Sequence, residues 1–391
     1  MSPAPNLNNE SMYSVVARQM TSSEPKLSVV VAARNDTYGG NFLERLQLFI
    51  STLIAQCNKY NLDCELIIVE WNPPRKQPEL ARGLEFPENL KSCRIRIIQV
   101  PSAIHKGFSY AEKLPLHEMR AKNVGIRRAK GQFVLATNAD ILFSDELIQF
   151  LASSKLNPSK MYRVSRYDVS AKVPIGASVQ SRIKFCERHV FRILTRNRDI
   201  IKGRRTRFTL RLPATLYFFI VDASTRWTVL LESRRKRGKI FAKEIRMKAG
   251  IATTKIKPHL SRYLLPPYPL LHTNACGDFT LMSRANWFLL RGYPELDLYP
   301  LNIDSLLLHM AYNLGVSEQE LRDPMRIYHM YQNRIEQESI TISTTFAERV
   351  PFLTFRQVEE WAAKMYHGRR PMIFNDENWG LALEPLSETK R

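Results

Sequence analysis

Hydrophobic runs and segments with helical hydrophobic spacing alternate along the N-terminal part of the chain. Residues 27–33 (LSVVVAA) form an uninterrupted apolar run that ends in a polar turn, which is the pattern of a strand buried on both faces. Residues 42–60 then carry apolar side chains at helical spacing, and residues 65–70 (ELIIVE) form a second apolar run before an Asn-Pro-Pro turn. Strand, helix and strand in this order predict a right-handed parallel crossover.

The same alternation continues through two further strands. Residues 94–100 (RIRIIQV) predict the third strand, residues 116–128 a helix, and residues 133–137 (FVLAT) the fourth strand. Four parallel strands joined by helices predict an α/β protein with a doubly wound, mostly parallel sheet. Ligands bind such sheets at the carboxyl ends of the strands, which is where the polar sequences RND, EWN and TNAD stand.

The regular pattern is interrupted in the middle of the chain. We interpret residues 27–335 as one domain with a basic insertion at about residues 171–268. Residues 1–26 are polar and rich in Ser, Asn and Pro, and they predict a disordered N-terminal segment, whereas residues 336–391 predict a helical extension with a polar tail. The later elements that periodicity predicts are a helix at 303–314, a strand at 326–331 and a helix at 352–366.

The charge of the chain is unbalanced and concentrated in one segment. The 391 residues include 58 Lys and Arg against 37 Asp and Glu, a formal net charge of +21. About 28 of the basic residues and only about 6 of the acidic ones lie in residues 155–262. We favour an anionic membrane surface as the partner of this segment. A polyanionic saccharide and a merely solvated surface stay open, whereas nucleic acid is disfavoured because aromatic interleaving and helix-turn-helix or zinc-finger spacing are missing.

Cysteine usage and the first residues bear on location. The five cysteines are scattered, odd in number and without a pair at zinc-ligand spacing, which favours a reduced, cytosolic environment. The first 26 residues have neither the apolar run of a signal peptide nor the span of a membrane anchor. We therefore expect a cytoplasmic protein, free or peripheral at a membrane.

Asp140 is the first candidate for chemistry. It follows the fourth strand in Thr137-Asn138-Ala139-Asp140, at the edge of the sheet where ligands bind. A carboxylate at this place can hold a divalent cation, Mn²⁺ or Mg²⁺, whose shell is completed by phosphate oxygens. A structural aspartate in a turn or at a helix start is the alternative.

Four short motifs lie at the ends of these elements. They are Ala32-Ala33-Arg34-Asn35-Asp36 after the first strand, Glu70 at the end of the second, Lys122-Asn123-Val124-Gly125 in the helix before the fourth strand, and Asn138-Ala139-Asp140 after that strand. With the order of elements, these motifs resemble the GT-A glycosyltransferases, particularly the family 2 type. The resemblance implies a GT-A fold and a nucleotide-sugar donor bound by Ala33, Arg34, Asn35, Asp36, Glu70, Lys122, Asn123, Asn138 and Asp140. Asn138 stands where the family's D-x-D motif has its first carboxylate, and this departure puts the use of a metal in question.

A second group of motifs lies beyond the basic segment. The sequences Asn274-Ala275-Cys276-Gly277-Asp278, Ser283-Arg284 and Arg291-Gly292-Tyr293 resemble the acceptor side of these enzymes. The implied acceptor-side residues are Gly277, Arg284, Gly292 and Tyr293. Inverting members place the catalytic base at the start of the next helix, where this chain has Asp304, and Asp278 competes for the role of base or of donor-sugar contact. A structural N-cap is the alternative for Asp304.

His329 completes the candidate metal site. It lies in Ile327-Tyr328-His329-Met330-Tyr331 and resembles the histidine that some metal-dependent members supply to the cation. The resemblance therefore implies that Asp140 and His329 bind the divalent cation. A histidine that is hydrogen-bonded within the core is the alternative.

The function implied by the resemblance is that of a hexosyltransferase. We expect it to move a sugar from a nucleoside-diphosphate donor to a saccharide or lipid-linked acceptor, with inversion and with help from a metal ion. A nucleotidyltransferase is an alternative, although residues 34–40 (RNDTYGG) are a poor version of its phosphate-binding loop. A non-catalytic protein that binds a nucleotide sugar or nucleic acid also stays open.

Overall fold

The computed structural model describes residues 24–36, 41–87, 90–201, 207–208, 268–331 and 350–391, and their strands form one mixed sheet. The strands are β1 (Leu27–Ala33), β2 (Cys64–Trp71), β3 (Cys93–Val100), β4 (Phe133–Thr137), β5 (Ile141–Phe143), β6 (Lys160–Ser170), β7 (Val190–Leu194), β8 (Arg198–Ile201), β9 (Arg207–Phe208), β10 (Phe279–Ser283), β11 (Ser317–Tyr331) and β12 (Ser387–Lys390).

Helices connect these strands and cover the sheet. They are α1 (Phe42–Tyr60), α2 (Leu80–Gly83), α3 (Ser102–His105), α4 (Glu118–Arg128), α5 (Asp145–Ala152), α6 (Val179–Arg188), α7 (Arg284–Leu290), α8 (Ile303–Asn313) and α9 (Phe355–Gly368). A single 3₁₀ turn, Cys276–Asp278, leads into β10 among the described residues. No helix of the described ranges combines the length and the apolar character that a bilayer crossing requires.

The centre of the sheet is parallel and its flanks are mostly antiparallel. The strand order is β12-β3-β2-β1-β4-β10-β6-β7-β8-β9, and β11 pairs with both β5 and β6. Strands β3, β2, β1 and β4 run parallel, as the strand-helix-strand pattern predicts. The carboxyl ends of these four strands therefore lie at one edge of the sheet.

Two apolar layers sandwich the parallel strands. Val29 and Val31 of β1 face the layer of α1 and α5, whereas Val30 faces the layer of α4, α7, α8 and α9, as the period of two in a strand requires. Gly125 lets α4 approach the sheet closely, because a Cβ there would lie 2.4 Å from Val30 Cγ1. Both faces are thus covered by helices, so the doubly wound architecture is confirmed.

The predicted boundaries of the elements agree best with the structure where the apolar runs are longest. The predicted strands 27–33 and 133–137 and the helix 42–60 match the structure residue for residue. The predicted strand at 326–331 was too short, because β11 begins at Ser317 with a charged sequence. The polar tail was predicted without structure, yet it supplies β12, which pairs antiparallel with β3.

The first part of the predicted basic insertion belongs to the sheet. Residues 171–201 contain α6, β7 and β8, and β7 pairs antiparallel with β6. The rest of the insertion lies outside the described residues, apart from β9 and residue 268. The predicted disordered segment 1–26 also lies outside them, except for its last three residues.

Candidate functional site

Polar residues from several elements meet at the carboxyl ends of the parallel strands. Strand β10 runs antiparallel to β4, with Phe279 opposite Thr137. This register brings Asp278, the residue before β10, next to Asn138, the residue after β4. Helix α8 contributes Asp304 from its first turn. The structure thus gathers three of the predicted site residues at the expected edge.

Lys122 is a fully buried cation of this edge. Its side chain has no exposed surface, and its Nζ donates to Glu118 Oε1 and Asn138 Oδ1 at 2.7 Å and to the Gly277 carbonyl at 2.9 Å. Asn138 Nδ2 in turn donates to Asp278 Oδ1 at 2.6 Å. The amide of Asn138 therefore bridges a cation and an anion, with its oxygen facing the ammonium and its NH₂ group facing the carboxylate.

Arg166 joins Asp278 to a second buried carboxylate. Its Nη1 lies 2.7 Å from Asp278 Oδ2, and its Nε lies 2.9 Å from Asp168 Oδ1. Burial opposes the charge of Arg166, but the two carboxylates outweigh burial and raise the pKa of the guanidinium above its usual range. Burial also opposes the charge of Asp168 and would raise its pKa. The charge of Arg166 and a hydrogen bond from His329 outweigh burial and lower the pKa. Both groups are therefore ionised at neutral pH.

His329 lies between two carboxylates. Its Nδ1 is 3.1 Å from Asp168 Oδ1 and its Nε2 is 3.6 Å from Asp140 Oδ2. Burial would lower the pKa of the imidazole, but the charge of Asp140 and the hydrogen bonds to both carboxylates raise it to about 9. Arg45, a residue of α1, has its Nε 3.8 Å from Asp140 Oδ2. Asp140 therefore faces two cationic groups, and the pKa of its carboxyl is lowered even though burial acts to raise it.

These side chains form one connected set, which we call the edge network. Its members are Lys122, Asn138, Asp278, Arg166, Asp168, His329, Asp140 and Arg45. Cationic and anionic groups alternate along it, with the neutral amide of Asn138 as the one link of mixed polarity. Each buried charge consequently has a neighbour of opposite sign, which offsets much of the cost of removing it from water.

Asp304 lies beside the edge network without a cationic partner at salt-bridge distance among the described residues. Burial raises the pKa of its carboxyl above the usual range, although a hydrogen bond involving Cys276 and one from the Ser305 amide, at 2.8 Å, act to lower it. A Cβ on Gly277 would lie 3.1 Å from Asp304 Oδ2, so glycine permits the 3₁₀ turn to approach this carboxylate. Asn302, not Asp304, is the N-cap residue of α8, but it makes no side-chain cap hydrogen bond, and Asp304 accepts a first-turn amide of the helix.

The turn after β1 is held together by its own polar side chains. Arg34 Nε donates to the Asn72 carbonyl at 2.9 Å, and its guanidinium pairs with Asp36. Asn35 is buried, and its Nδ2 donates to the Pro78 carbonyl at 2.8 Å. These contacts fix the turn at the carboxyl edge, next to the end of β2. The role of the turn in donor binding stays a prediction.

Glu70 was predicted to bind the base of the donor, but its carboxylate is used inside the protein. It pairs in register with Ala33 at the carboxyl ends of β2 and β1. Its Oε1 accepts the Leu80 amide at 2.8 Å, and Gln99 Nε2 lies 3.4 Å from its Oε2. Burial raises the pKa of Glu70. In this structure the side chain holds the start of α2 and does not extend into the edge network.

Three further predicted residues form a buried clamp away from the edge network. Asn123 Nδ2 donates to the Tyr293 carbonyl, and Asn123 Oδ1 accepts the Tyr293 amide, both at 2.8 Å. Gly292 has φ +72°, and a Cβ there would lie 2.3 Å from Asn123 Oδ1. These contacts fasten the segment after α7 to α4, whereas the Tyr293 hydroxyl is buried without a hydrogen-bond partner among the described residues. The contacts of Asn123 with the donor and of Gly292 and Tyr293 with the acceptor stay predictions.

Arg284 lies at the opposite end of the sheet. Its Nη1 donates to the Lys130 carbonyl, just before β4, and its Nη2 contacts the carboxylate of Glu24, just before β1. Both partners are at the amino ends of their strands. The predicted acceptor-side role of Arg284 is wrong for this structure, because β10 runs antiparallel to β4 and carries its last residue away from the site.

Sequence reasoning missed Arg166, Asp168 and Arg45. Arg166 and Asp168 alternate on β6, a pattern that usually marks the solvent-facing side of a strand. Here that side is buried, because Arg166 and Asp168 pair with each other and with Asp278 and His329. The signal that points to them is a pair of opposite charges at spacing two, within the strand Lys160–Ser170.

Comparisons with known proteins give distant structural likenesses only. No protein-family model matches the chain, and no curated protein matches it. The structure is similar to that of S. aureus TarS, residues 1–349, with a TM-score of 0.40, 12% identity and coverage of 88% of this chain and 71% of that one. TarS in complex with UDP gives a TM-score of 0.36 at the same identity and coverage. The mannosyltransferase PcManGT from Pyrobaculum calidifontis, in complex with GDP-Man and Mn²⁺, gives a TM-score of 0.36 at 12% identity. The match covers 93% of this chain and 80% of that one.

Proposed function

We propose that the chain is a glycosyltransferase that moves a hexose from a nucleoside-diphosphate donor to a hydroxyl group of a saccharide or a lipid-linked acceptor. The observation that supports this most directly is the grouping of Asp140, Asp278 and Asp304 at the carboxyl edge of a doubly wound sheet. The sequence motifs of these residues independently resemble those of GT-A enzymes. The three carboxylates have different partners, which suits them to different tasks.

Asp140 is the proposed ligand for a divalent cation. Its Oδ2 and His329 Nε2 are 3.6 Å apart, and carboxylate with imidazole is a donor set that Mn²⁺ accepts. Asp168 contacts the other ring nitrogen of His329, the arrangement in which an outer carboxylate orients a ligating histidine. The residues therefore fit such a cation once the imidazole releases the proton that its raised pKa retains at neutral pH. The cation supplies positive charge to a leaving diphosphate.

The two remaining carboxylates differ in their capacity to accept a proton. Both oxygens of Asp278 are held by donors, from Asn138 and Arg166, which favours a positioning role. Burial raises the pKa of Asp304, which strengthens its carboxylate as a proton acceptor. We assign to Asp304 the removal of the proton from the acceptor hydroxyl in an inverting reaction, and to Asp278 the orientation of the donor sugar.

Lys122 and Arg45 place positive charge at the two ends of the edge network. Lys122 Nζ is buried against the Gly277 carbonyl, and Arg45 lies near Asp140. Preorganised charges of this kind stabilise a departing diphosphate without a reorganisation cost during the reaction. Membrane association through the basic segment remains a separate prediction.

A thermal-shift screen tests the proposal. The protein is heated with UDP, GDP, CMP and dTDP and with the corresponding sugar nucleotides, each with and without Mn²⁺. We expect one nucleoside diphosphate to raise the midpoint in the presence of Mn²⁺, because a ligand of the native state shifts unfolding upward. The rise should disappear in Asp140→Ala and persist in Asp63→Asn, whose partner Arg94 is exposed. A rise with oligonucleotides or anionic lipid alone would overturn the proposal.

A further inference from the structure

Three buried cysteines converge at the amino ends of the strands, far along the sheet from the edge network. Cys57 lies in the last turn of α1, Cys64 begins β2 and Cys93 begins β3. Their Sγ atoms all lie within 4.8 Å of one another. All three are free thiols, and none has exposed surface.

The fold itself creates this cluster. Strands β2 and β3 are parallel and in register from their first residues, so Cys64 and Cys93 are neighbours across the pair. Helix α1 ends at Asn61, whose left-handed backbone turns the chain back, and the Leu62 amide donates to the Cys57 carbonyl at 3.0 Å. The last turn of α1 thereby lies against the starts of both strands. The cysteines are 7 and 29 residues apart in sequence, a spacing outside the usual zinc motifs.

We propose that Cys57, Cys64 and Cys93 form a binding site for a single thiophilic metal ion, and that Cu(I) is the ion it suits. Thiolate ligands select soft cations. Structural zinc is almost always four-coordinate, but in the described part of the chain no fourth His, Cys, Asp or Glu offers an atom within the same distance. Burial of the three thiols also leaves no exposed face for a water ligand.

Binding needs no redox partner. Each Cu–S bond replaces an S–H bond, the proton passes to solvent, and copper remains Cu(I).

The alternative is that the three thiols only fill space in the apolar layer between α1 and the sheet. The two possibilities differ in what a cysteine substitution does to metal binding. Cys186 provides a matched control, because it is equally buried and free but lies within α6, outside the group of three cysteines. If buried thiols bound copper in general, Cys186→Ala would reduce copper binding as the other cysteine substitutions do.

The test is an anaerobic titration of the full chain with Cu(I) in competition with a coloured Cu(I) chelator. We expect one equivalent of copper per chain for the wild-type protein and for Cys186→Ala, and loss of that equivalent in Cys64→Ala and Cys93→Ala. X-ray absorption should show three sulfur neighbours at roughly 2.3 Å, the length of a metal–thiolate bond. Copper should also raise the unfolding midpoint of the wild-type protein but not of Cys93→Ala.

Two results would overturn the proposal. One is binding that is absent from the wild-type protein or is lost equally in Cys186→Ala. The other is a protein that shows no copper bound but a mass two hydrogens lower, which would mean that two of its cysteines form a disulfide instead. Circular dichroism of each variant shows whether it folds, and Cys57→Ser provides a second variant of similar volume. The outcome is independent of sugar transfer, since no residue of the edge network takes part.

Discussion

The two ends of the same parallel strands bury carboxylates in contrasting ways. At the amino ends, Glu65 is almost fully buried, with Ser28 Oγ 2.5 Å from one of its oxygens, the Lys130 amide on the same oxygen and Arg96 Nη1 3.0 Å from the other. Arg96 also reaches Glu388 on β12. This carboxylate is completed by groups of the fold itself, and it ties β1, β2, β3 and the tail together.

At the carboxyl ends the carboxylates are linked mainly to other side chains. Asp140 has only cationic neighbours at 3.6 and 3.8 Å, and Asp304 has a raised pKa owing to burial. These groups retain the capacity to bind a ligand or a proton, whereas the oxygens of Glu65 are occupied by Ser28, Arg96 and the Lys130 amide. Burial of a charged residue is therefore a poor sign of function by itself, and the nature of its partners is a better one.

The largest expected effect is on sugar transfer. Asp304→Asn should reduce turnover by roughly 10²–10⁴-fold, the usual contribution of a general base, while donor binding is retained. Steady-state kinetics with the donor identified by the thermal-shift screen measure this. Asp63→Asn, which alters an exposed pair at the amino end, should leave turnover unchanged. Wild-type turnover in Asp304→Asn would contradict its role as the base.

The next effect is on stability at the amino end. Glu65→Gln places an NH₂ group among donors and removes the charge facing Arg96, which should lower the free energy of unfolding by roughly 3 kcal/mol. Urea unfolding at neutral pH gives the value. Glu388→Gln, on a more exposed residue, should cost less. Loss of stability that is equal in the two variants would show that Glu65 is not the centre of this contact.

A smaller effect is expected at Asn138. Asn138→Asp would set a carboxylate where an NH₂ group lies 2.6 Å from Asp278 Oδ1, and we expect a loss of about 1–3 kcal/mol. The double variant Asn138→Asp with Asp278→Asn restores one anion and one amide and should recover part of the loss. A double-mutant cycle measures the coupling. Additive losses would contradict the bridge between these residues.

The smallest predicted effect is a loss of stability in mild acid. Burial, with the charges of His105 and Arg120, lowers the pKa of His117 to about 4, so the folded protein holds it neutral. Its contribution is complete above the unfolded pKa of about 6.5 and is lost as the pH falls towards 4, by about 1–2 kcal/mol after solvent screening. Urea unfolding at pH 7 and pH 4.5 should show a smaller difference for His117→Phe. An unchanged difference would rule out His117 as the source.

Sequence pattern predicted the elements that are buried on both sides. Strands such as Leu27–Ala33 are continuous apolar runs, and their burial leaves little choice of structure. Strand Ser387–Lys390 carries no such pattern, because an edge strand pairs through its backbone while its side chains face solvent. The charged start of β11 was missed for a similar reason.

The candidate site was predictable only in part. Asp140, Asp278 and Asp304 stand at ends of elements, and the order of elements brings such ends to one edge. The partners of Glu70 and Asn123 come from the Leu80 amide and the Tyr293 backbone, which no local pattern locates. Their internal roles follow from long-range contacts, and a motif shared with a family does not encode these contacts.

Calorimetric binding of the nucleoside diphosphate selected by the thermal-shift screen tests the central claim most directly. The titration is made with Mn²⁺ present for the wild-type protein, Asp140→Ala and Glu388→Gln. Our account predicts saturable binding to the wild-type protein and to Glu388→Gln, and at least a tenfold loss of affinity, about 1.4 kcal/mol, in Asp140→Ala. Equal affinity of all three proteins, or no binding of any nucleoside diphosphate to the wild-type protein, would contradict the assignment of the carboxyl edge as a nucleotide-sugar site.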